Sequence, residues 1–280
     1  MTDPTEKLEL FEALSTSQAA FAAIVGIAIA IWGIRRLSTW LVPVPAPSPA
    51  RDLSSAGVVA AIGFVLALFG IAAVASIVGD GGDREPDAPI RRIDLVLPCL
   101  ANLFAAGVGL RFARARLGAD AATFGVTRAR PRDLVFGIAV LLALVPAYFG
   151  IGAVNVKLID ALGLERHQRL VTSLLTRGRL DPWAALLIVG VVPFCEELLF
   201  RGVIQTALAS ILKARVAIAC SAAAFALVHD AQSWLLIVTV GVGLGIVRHR
   251  TGSVLAATFF HAVFNAIMLV QIVAQAEGPR

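Results

Sequence analysis

Three short groups of side chains in this chain have the types and spacing to do chemistry. The first is Glu196-Glu197-Leu-Leu-Phe-Arg201, two adjacent carboxylates followed four residues later by a guanidinium. The others are Phe225-Ala-Leu-Val-His229 and His261-Ala-Val-Phe-Asn265, each a histidine with a partner four residues away. On a helix, Glu197 and Arg201 share a face, which is ion-pair geometry. Glu196 points about 100° away and cannot share Arg201 equally. The two glutamates are therefore expected to divide their work. Glu197 is neutralised by Arg201 as a supporting group, and Glu196 is desolvated and available as a general base. Phe225 and His229 share one helix face, as do His261 and Asn265.

One glutamate, two histidines and an asparagine support two chemistries. In the first, Glu196 takes a proton from water held by a histidine, the hydroxide attacks a carbonyl, and His261, Asn265 or both donate to the oxyanion. In the second, His229, His261 and Glu196 ligate zinc with one position open for water. No HExxH helix supports the metal, so residue types leave the two open. Two non-hydrolytic readings use the same residues. Buried Glu, His and Arg also mark the proton relays of carriers, although no inverted repeat with paired broken helices is legible. A non-catalytic membrane scaffold could keep the same network as an inert interhelical tie.

The elements that must position these groups are membrane helices. The chain is 58% hydrophobic and 15% charged over 280 residues, with a mean hydropathy of +0.84. Soluble domains average roughly 45–50% apolar and about 25% charged. The reading is therefore all-α, a multi-pass transmembrane bundle of about eight spans with an intramembrane polar cavity. The apolar runs are Gln18–Ile34, Ser54–Val78, Ile93–Leu110, Leu134–Ala153, Pro182–Phe200, Val216–Val228, Ser233–Val247 and Ser253–Val273. Their length and lack of alternation exclude a β-barrel. An ionised group at bilayer depth costs at least ~2.5–3.5 kcal/mol, so acids and an arginine kept inside the fifth run imply a use. The acidic lead before the first run is wrong for a secretory signal, so that run is read as a retained span.

The net charge of +5 reads as membrane topology and attraction to anionic lipid headgroups, with no nucleic-acid partner. Odd-numbered connections carry a small excess of Lys and Arg, which places them in the cytoplasm and both termini outside. Residues 42–50 form a proline-rich connector and 79–87 a polar loop. Residues 154–180 suggest an amphipathic surface helix, with Leu158, Leu162, Leu170 and Leu174 on one side. Gly241-Val-Gly-Leu-Gly245 lies inside an apolar run and reads as helix packing, not a phosphate loop. Ser221 and Ser253 lack a histidine–acid partner at readable spacing. His167 and His249 read as surface residues. Cys99, Cys195 and Cys220 read as small hydrophobes. The chain divides into N-terminal helices and a surface connector (1–181), a functional core (182–273) and a polar tail (274–280).

The three groups, in this order and spacing, resemble the CPBP (Abi) family of intramembrane proteases, which includes the type II CAAX prenyl endopeptidases and the lysostaphin resistance protein A-like domain. That family's pattern is EExxxR, FxxxH and HxxxN or HxxxD, and the match covers roughly Pro182–Val273. The resemblance implies an eight-helix bundle that hydrolyses a peptide bond of a membrane-associated or lipidated peptide or protein. It implies catalytic roles for Glu196, His229, His261 and Asn265, with Glu197, Arg201 and Phe225 in support. Glu196 and a histidine would activate water, and the second histidine with Asn265 would stabilise the oxyanion. No cofactor is expected on the glutamate mechanism attributed to the family, with zinc as the alternative. The implied setting is the bacterial cytoplasmic membrane, with membrane lipid and a peptide substrate as partners.

Overall fold

The computed structural model describes residues 15–41, 92–117, 122–163 and 182–276. Among these residues the protein has seven helices and no strand. They are α1 (Thr16–Leu41), α2 (Arg92–Leu117), α3 (Pro131–Ala161), α4 (Pro182–Ile211), α5 (Ala214–Leu227), α6 (Trp234–Thr251, after a 3₁₀ turn) and α7 (Val254–Ala276). Five are long and apolar enough to cross a membrane: α1, α3, α4, α6 with its 3₁₀ turn, and α7. The apolar part of α2 and all of α5 are shorter. Large apolar side chains such as Phe21, Trp32, Leu142 and Val270 stand exposed. That surface suits lipid and would aggregate in water. The run Ser54–Val78, expected as a span, lies outside the described residues.

Helix α3 is the scaffold, packing against α1, α6 and α7. Pro131 opens it where a missing N–H costs nothing, and the Asp133 carboxylate accepts the Arg130 N–H at 2.9 Å. Its buried stripe includes Phe136, Val140 and Leu144. The α1–α3 crossing is set by glycine. A Cβ on Gly150 would fall 2.5 Å from the Ala22 carbonyl oxygen and 2.6 Å from the Ala23 Cα, and Gly26 abuts the Pro146 carbonyl in the same way. With lipid as apolar as any side chain, such close backbone contact is what draws membrane helices together.

Several helices outrun their apolar runs: α1 ends at Leu41, α2 at Leu117, α6 at Thr251 and α7 at Ala276, inside the segment expected as a polar tail. The two largest differences are in α3 and α4. Helix α3 continues past Ala153 to Ala161, so Leu158 belongs to it and not to a separate surface helix. Gly163, at φ +64°, follows the end of that helix; the rest of the proposed amphipathic segment lies outside the described residues. Helix α4 runs on through Arg201 to Ile211, where the apolar run stops at Phe200. The charge that ends the hydropathy run is compensated inside the bundle, so the helix need not end there.

The α6–α7 corner fixes the last two spans. Gly252 adopts φ +71° and returns its N–H to the Arg248 carbonyl at 3.0 Å, a left-handed cap open to glycine without a Cβ penalty. Ser253 follows, buried, and its hydroxyl receives the Ala256 N–H at 3.4 Å as the N-cap of α7. That is a structural role for the serine.

Candidate active site

Helix α4 is not uniformly α. It passes through π-helical turns at Leu187–Val191 and Leu198–Ile204, which flank the short α segment Val192–Glu197. Both carboxylates close that segment, and Arg201 sits in the second π turn. The first π turn has a definite consequence. The Val192 N–H bonds the Leu187 carbonyl, five residues back. Residue 193 is proline and has no N–H to offer. The Ile188 carbonyl is thus left without an intrahelical donor, a costly vacancy at membrane depth. The Asn265 side-chain amide on α7 donates to it at 2.9 Å.

At the second π turn the buried centre assembles. Arg201 and Glu197 are both fully buried and paired at 3.0 Å between Nη1 and Oε1, as their i,i+4 spacing predicts. Arg201 also donates through Nη2 to the Gly241 carbonyl of α6 at 3.1 Å. Its guanidinium lies 4.3 Å from the centre of the Phe225 ring, a cation–π contact strengthened by desolvation. One turn further on, Gln205 donates to the Gly245 carbonyl at 3.0 Å. Arg201 and Gln205 on α4 therefore read Gly241 and Gly245 on α6 as matched pairs four residues apart. The glycine run is packing, as expected: a Cβ at Gly241 would lie 3.0 Å from the Ala222 Cβ of α5.

His261 joins the two glutamates. Its Nδ1 lies 3.1 Å from Glu197 Oε1, and its Nε2 lies 3.8 Å from Glu196 Oε2. The sequence assigns Glu197 to Arg201 alone, whereas one oxygen of Glu197 serves both Arg201 and His261. Glu196 is the more open group, its side chain 15% exposed against 0% for Glu197. No hydrogen bond from a described residue reaches its carboxylate.

His229 lies just beyond the end of α5 rather than within it. Its backbone N–H turns to the Ala226 carbonyl, and its ring Nδ1 takes the Phe225 carbonyl at 2.7 Å. A carbonyl only accepts, so Nδ1 carries the proton there and Nε2 presents a lone pair when the ring is neutral. Trp234 donates to the His229 carbonyl at 2.9 Å and holds the turn. The Phe225 ring is the common neighbour of the centre, edge-on to His229 at 4.7 Å and to His261 at 5.7 Å. Glu196, Glu197, Arg201, Phe225 and His261 thus form one connected cluster, with His229 attached through Phe225. Asn265 is one turn along α7 from His261 and bound to α4.

Four participants went unnamed in the motifs. Gln205 and the Gly241 and Gly245 carbonyls extend the Arg201 pairing into a second rung that the sequence does not signal. Ser221, buried on α5, donates to the Phe200 carbonyl at 2.9 Å and so braces the π turn. Among the described residues no three of His, Cys, Asp and Glu are gathered to hold a metal, and both His261 nitrogens face carboxylates. Cys99 and Cys195 are buried and Cys220 is exposed, and none of the three is in a disulfide.

Fold and site together define an integral membrane protein with a carboxylate–imidazole centre buried among its last four helices. Residues 178–267 match the family model described as "Type II CAAX prenyl endopeptidase Rce1-like". That match covers α4 to most of α7, and over this segment the chain is similar to the type II CAAX prenyl endopeptidases. No curated protein and no solved structure gives a match. The family so described is one of proteases.

Proposed function

We propose that this protein is an intramembrane endopeptidase that cleaves a membrane-associated or lipidated peptide using water activated by Glu196 and a histidine, without a metal. The observation that carries this reading is His261 set between two carboxylates of unequal character. Glu197, paired with Arg201, accepts the Nδ1–H of His261 and fixes the tautomer. Nε2 then faces Glu196 Oε2 across 3.8 Å. Two acceptors at that separation do not bond each other, yet both can accept from one water molecule. As the water oxygen adds to the scissile carbonyl, its proton passes to Glu196 and the carbonyl electron pair moves onto oxygen. The second N–H of the Asn265 amide, not used by Ile188, is available to the oxyanion. Collapse expels the amine, which takes the proton from Glu196. His229 offers Nε2 as a further acceptor at the edge of the site. The resemblance pairs Glu196 with the first histidine; the distances here favour His261 as the nearer one. This reading requires a polar cavity that admits the peptide within the membrane.

The test is cleavage of a quenched peptide library, with and without a prenylated terminal cysteine, by detergent-purified protein and its Glu196→Gln variant. Cleavage by wild type and its loss in Glu196→Gln supports the reading. Absence of cleavage by folded wild type across both libraries counts against it and returns the carrier and the scaffold for test.

A further inference from the structure

On another face of α6 from that of Gly241 and Gly245, the bundle holds a second feature. A groove of about 810 Å³ lies between α1, α3, α5 and α6. None of the residues assigned to the active site lines it. Its wall is apolar, formed by Ile27 and Ile31 of α1, Leu144 of α3, and Val238, Val242 and Ile246 of α6. Thr239 also lines it, but its hydroxyl is spent on the Leu235 carbonyl at 2.8 Å. One end is different in kind. There Arg35 from the end of α1, Arg215 from the start of α5, and His249 and Arg250 from the end of α6 come together.

These cations have different employment. Arg250 ties α6 to α1 by donating to the Ser38 carbonyl at 2.8 Å. Arg35 and Arg215 are exposed, and among the described residues neither has an ion-pair partner. The sequence assigns the connections bearing Arg35, Arg215 and Arg250 to the same side of the membrane, and the structure gathers them at one mouth. The length is also informative. From Val238 to Arg250 is twelve residues, roughly 18 Å of helix at 1.5 Å per residue. One leaflet contributes roughly 15 Å of hydrocarbon, half of a 30 Å core. The groove therefore runs about one leaflet deep, apolar along its length and cationic at the level of the headgroups.

We propose that this groove is a binding site for an anionic phospholipid, with an acyl chain along α1 and α6 and its phosphate at Arg35 and Arg215. Charge complementarity selects the ligand: a zwitterionic lipid fills the shaft equally well but gains less at the mouth, and basic pockets between spans are a recurrent means of holding acidic headgroups. The site is separate from the hydrolytic centre and does not depend on it.

The experiment is native mass spectrometry of the full-length protein in detergent, titrated with palmitoyl-oleoyl phosphatidylglycerol or with the phosphatidylcholine of the same chains. Wild type is expected to retain phosphatidylglycerol in preference to phosphatidylcholine. The double variant Arg35→Gln/Arg215→Gln, both positions exposed and so harmless to packing, is expected to lose that preference by about tenfold or more. Val242→Trp, which fills the shaft, is expected to reduce retention of both lipids. Equal retention of the two lipids by wild type, or an undiminished preference in the double arginine variant, overturns the proposal. So does photo-crosslinking from benzoylphenylalanine at position 242 to residues 54–78 or to a second copy of the chain in place of lipid.

Discussion

Replacing Arg201 with alanine should unfold the protein rather than merely slow it. The side chain is fully buried and carries three separate contacts: Glu197 at 3.0 Å, the Gly241 carbonyl at 3.1 Å and the Phe225 ring at 4.3 Å. The largest loss is the charge left behind. Removing one partner of a buried pair costs ~3–5 kcal/mol, because the other remains desolvated and uncompensated. That corresponds to a fall of roughly 10²- to 10³-fold or more in the folded-to-unfolded ratio. The second oxygen of Glu197 has no hydrogen bond from a described residue, so it offers no reserve. If the penalty comes from the stranded carboxylate, neutralising it should recover much of the loss. Glu197→Gln in the Arg201→Ala background is then less destabilising than the two single changes summed, with a coupling of about 1–3 kcal/mol. The assay is unfolding by titration with sodium dodecyl sulfate in a mixed micelle, followed by tryptophan fluorescence, on all four members of the cycle. An Arg201→Ala protein within about 0.5 kcal/mol of wild type, or a cycle that is purely additive, would refute the reasoning.

Further outcomes follow from other parts of the bundle. Asn265→Ala should cost about 0.5–2 kcal/mol by stranding the Ile188 carbonyl. The same titration should show a smaller cost in a Pro193→Ala background, where a backbone N–H is restored. Gly150→Ala should weaken the α1–α3 crossing by about 1–3 kcal/mol, since the new Cβ meets backbone and not a movable side chain. Ser253→Ala should lower stability by about 1 kcal/mol through loss of the α7 N-cap, with cleavage unchanged once folded. A cleavage defect in folded Ser253→Ala would show that its role extends beyond capping.

How much of this was readable beforehand depends on the distance over which the information acts. The Glu197–Arg201 pair follows from helical spacing and is present as expected. So does the exclusion of Glu196 from that pair. The part that His261 plays was not readable, because it depends on how α7 is placed beside α4, sixty-four residues away in sequence. The π turns escaped for a related reason. A hydropathy run carries no sign of whether an N–H bonds four or five residues back, yet that choice, with Pro193, decides what Asn265 does. The end of α4 was misplaced because the apolar run stops at Phe200, although Arg201 was read as buried and paired with Glu197, and the helix runs on to Ile211. His229 sits past the last turn of α5, and the i,i+4 relation to Phe225 survives because the ring nitrogen takes the carbonyl that the backbone gives up. The glycine run was legible as packing; its use as a pair of acceptors for Arg201 and Gln205 was not.

The account stands most directly on Glu196. The decisive measurement is the single-turnover cleavage rate of Glu196→Gln against wild type, on protein shown by titration to be equally stable, each with and without a strong chelator. Loss of a general base should slow cleavage roughly 10²- to 10⁴-fold, and chelator should change neither rate. A Glu196→Gln rate within tenfold of wild type would contradict the assignment of the base, and chelator-sensitive cleavage restored by zinc would contradict the metal-free mechanism.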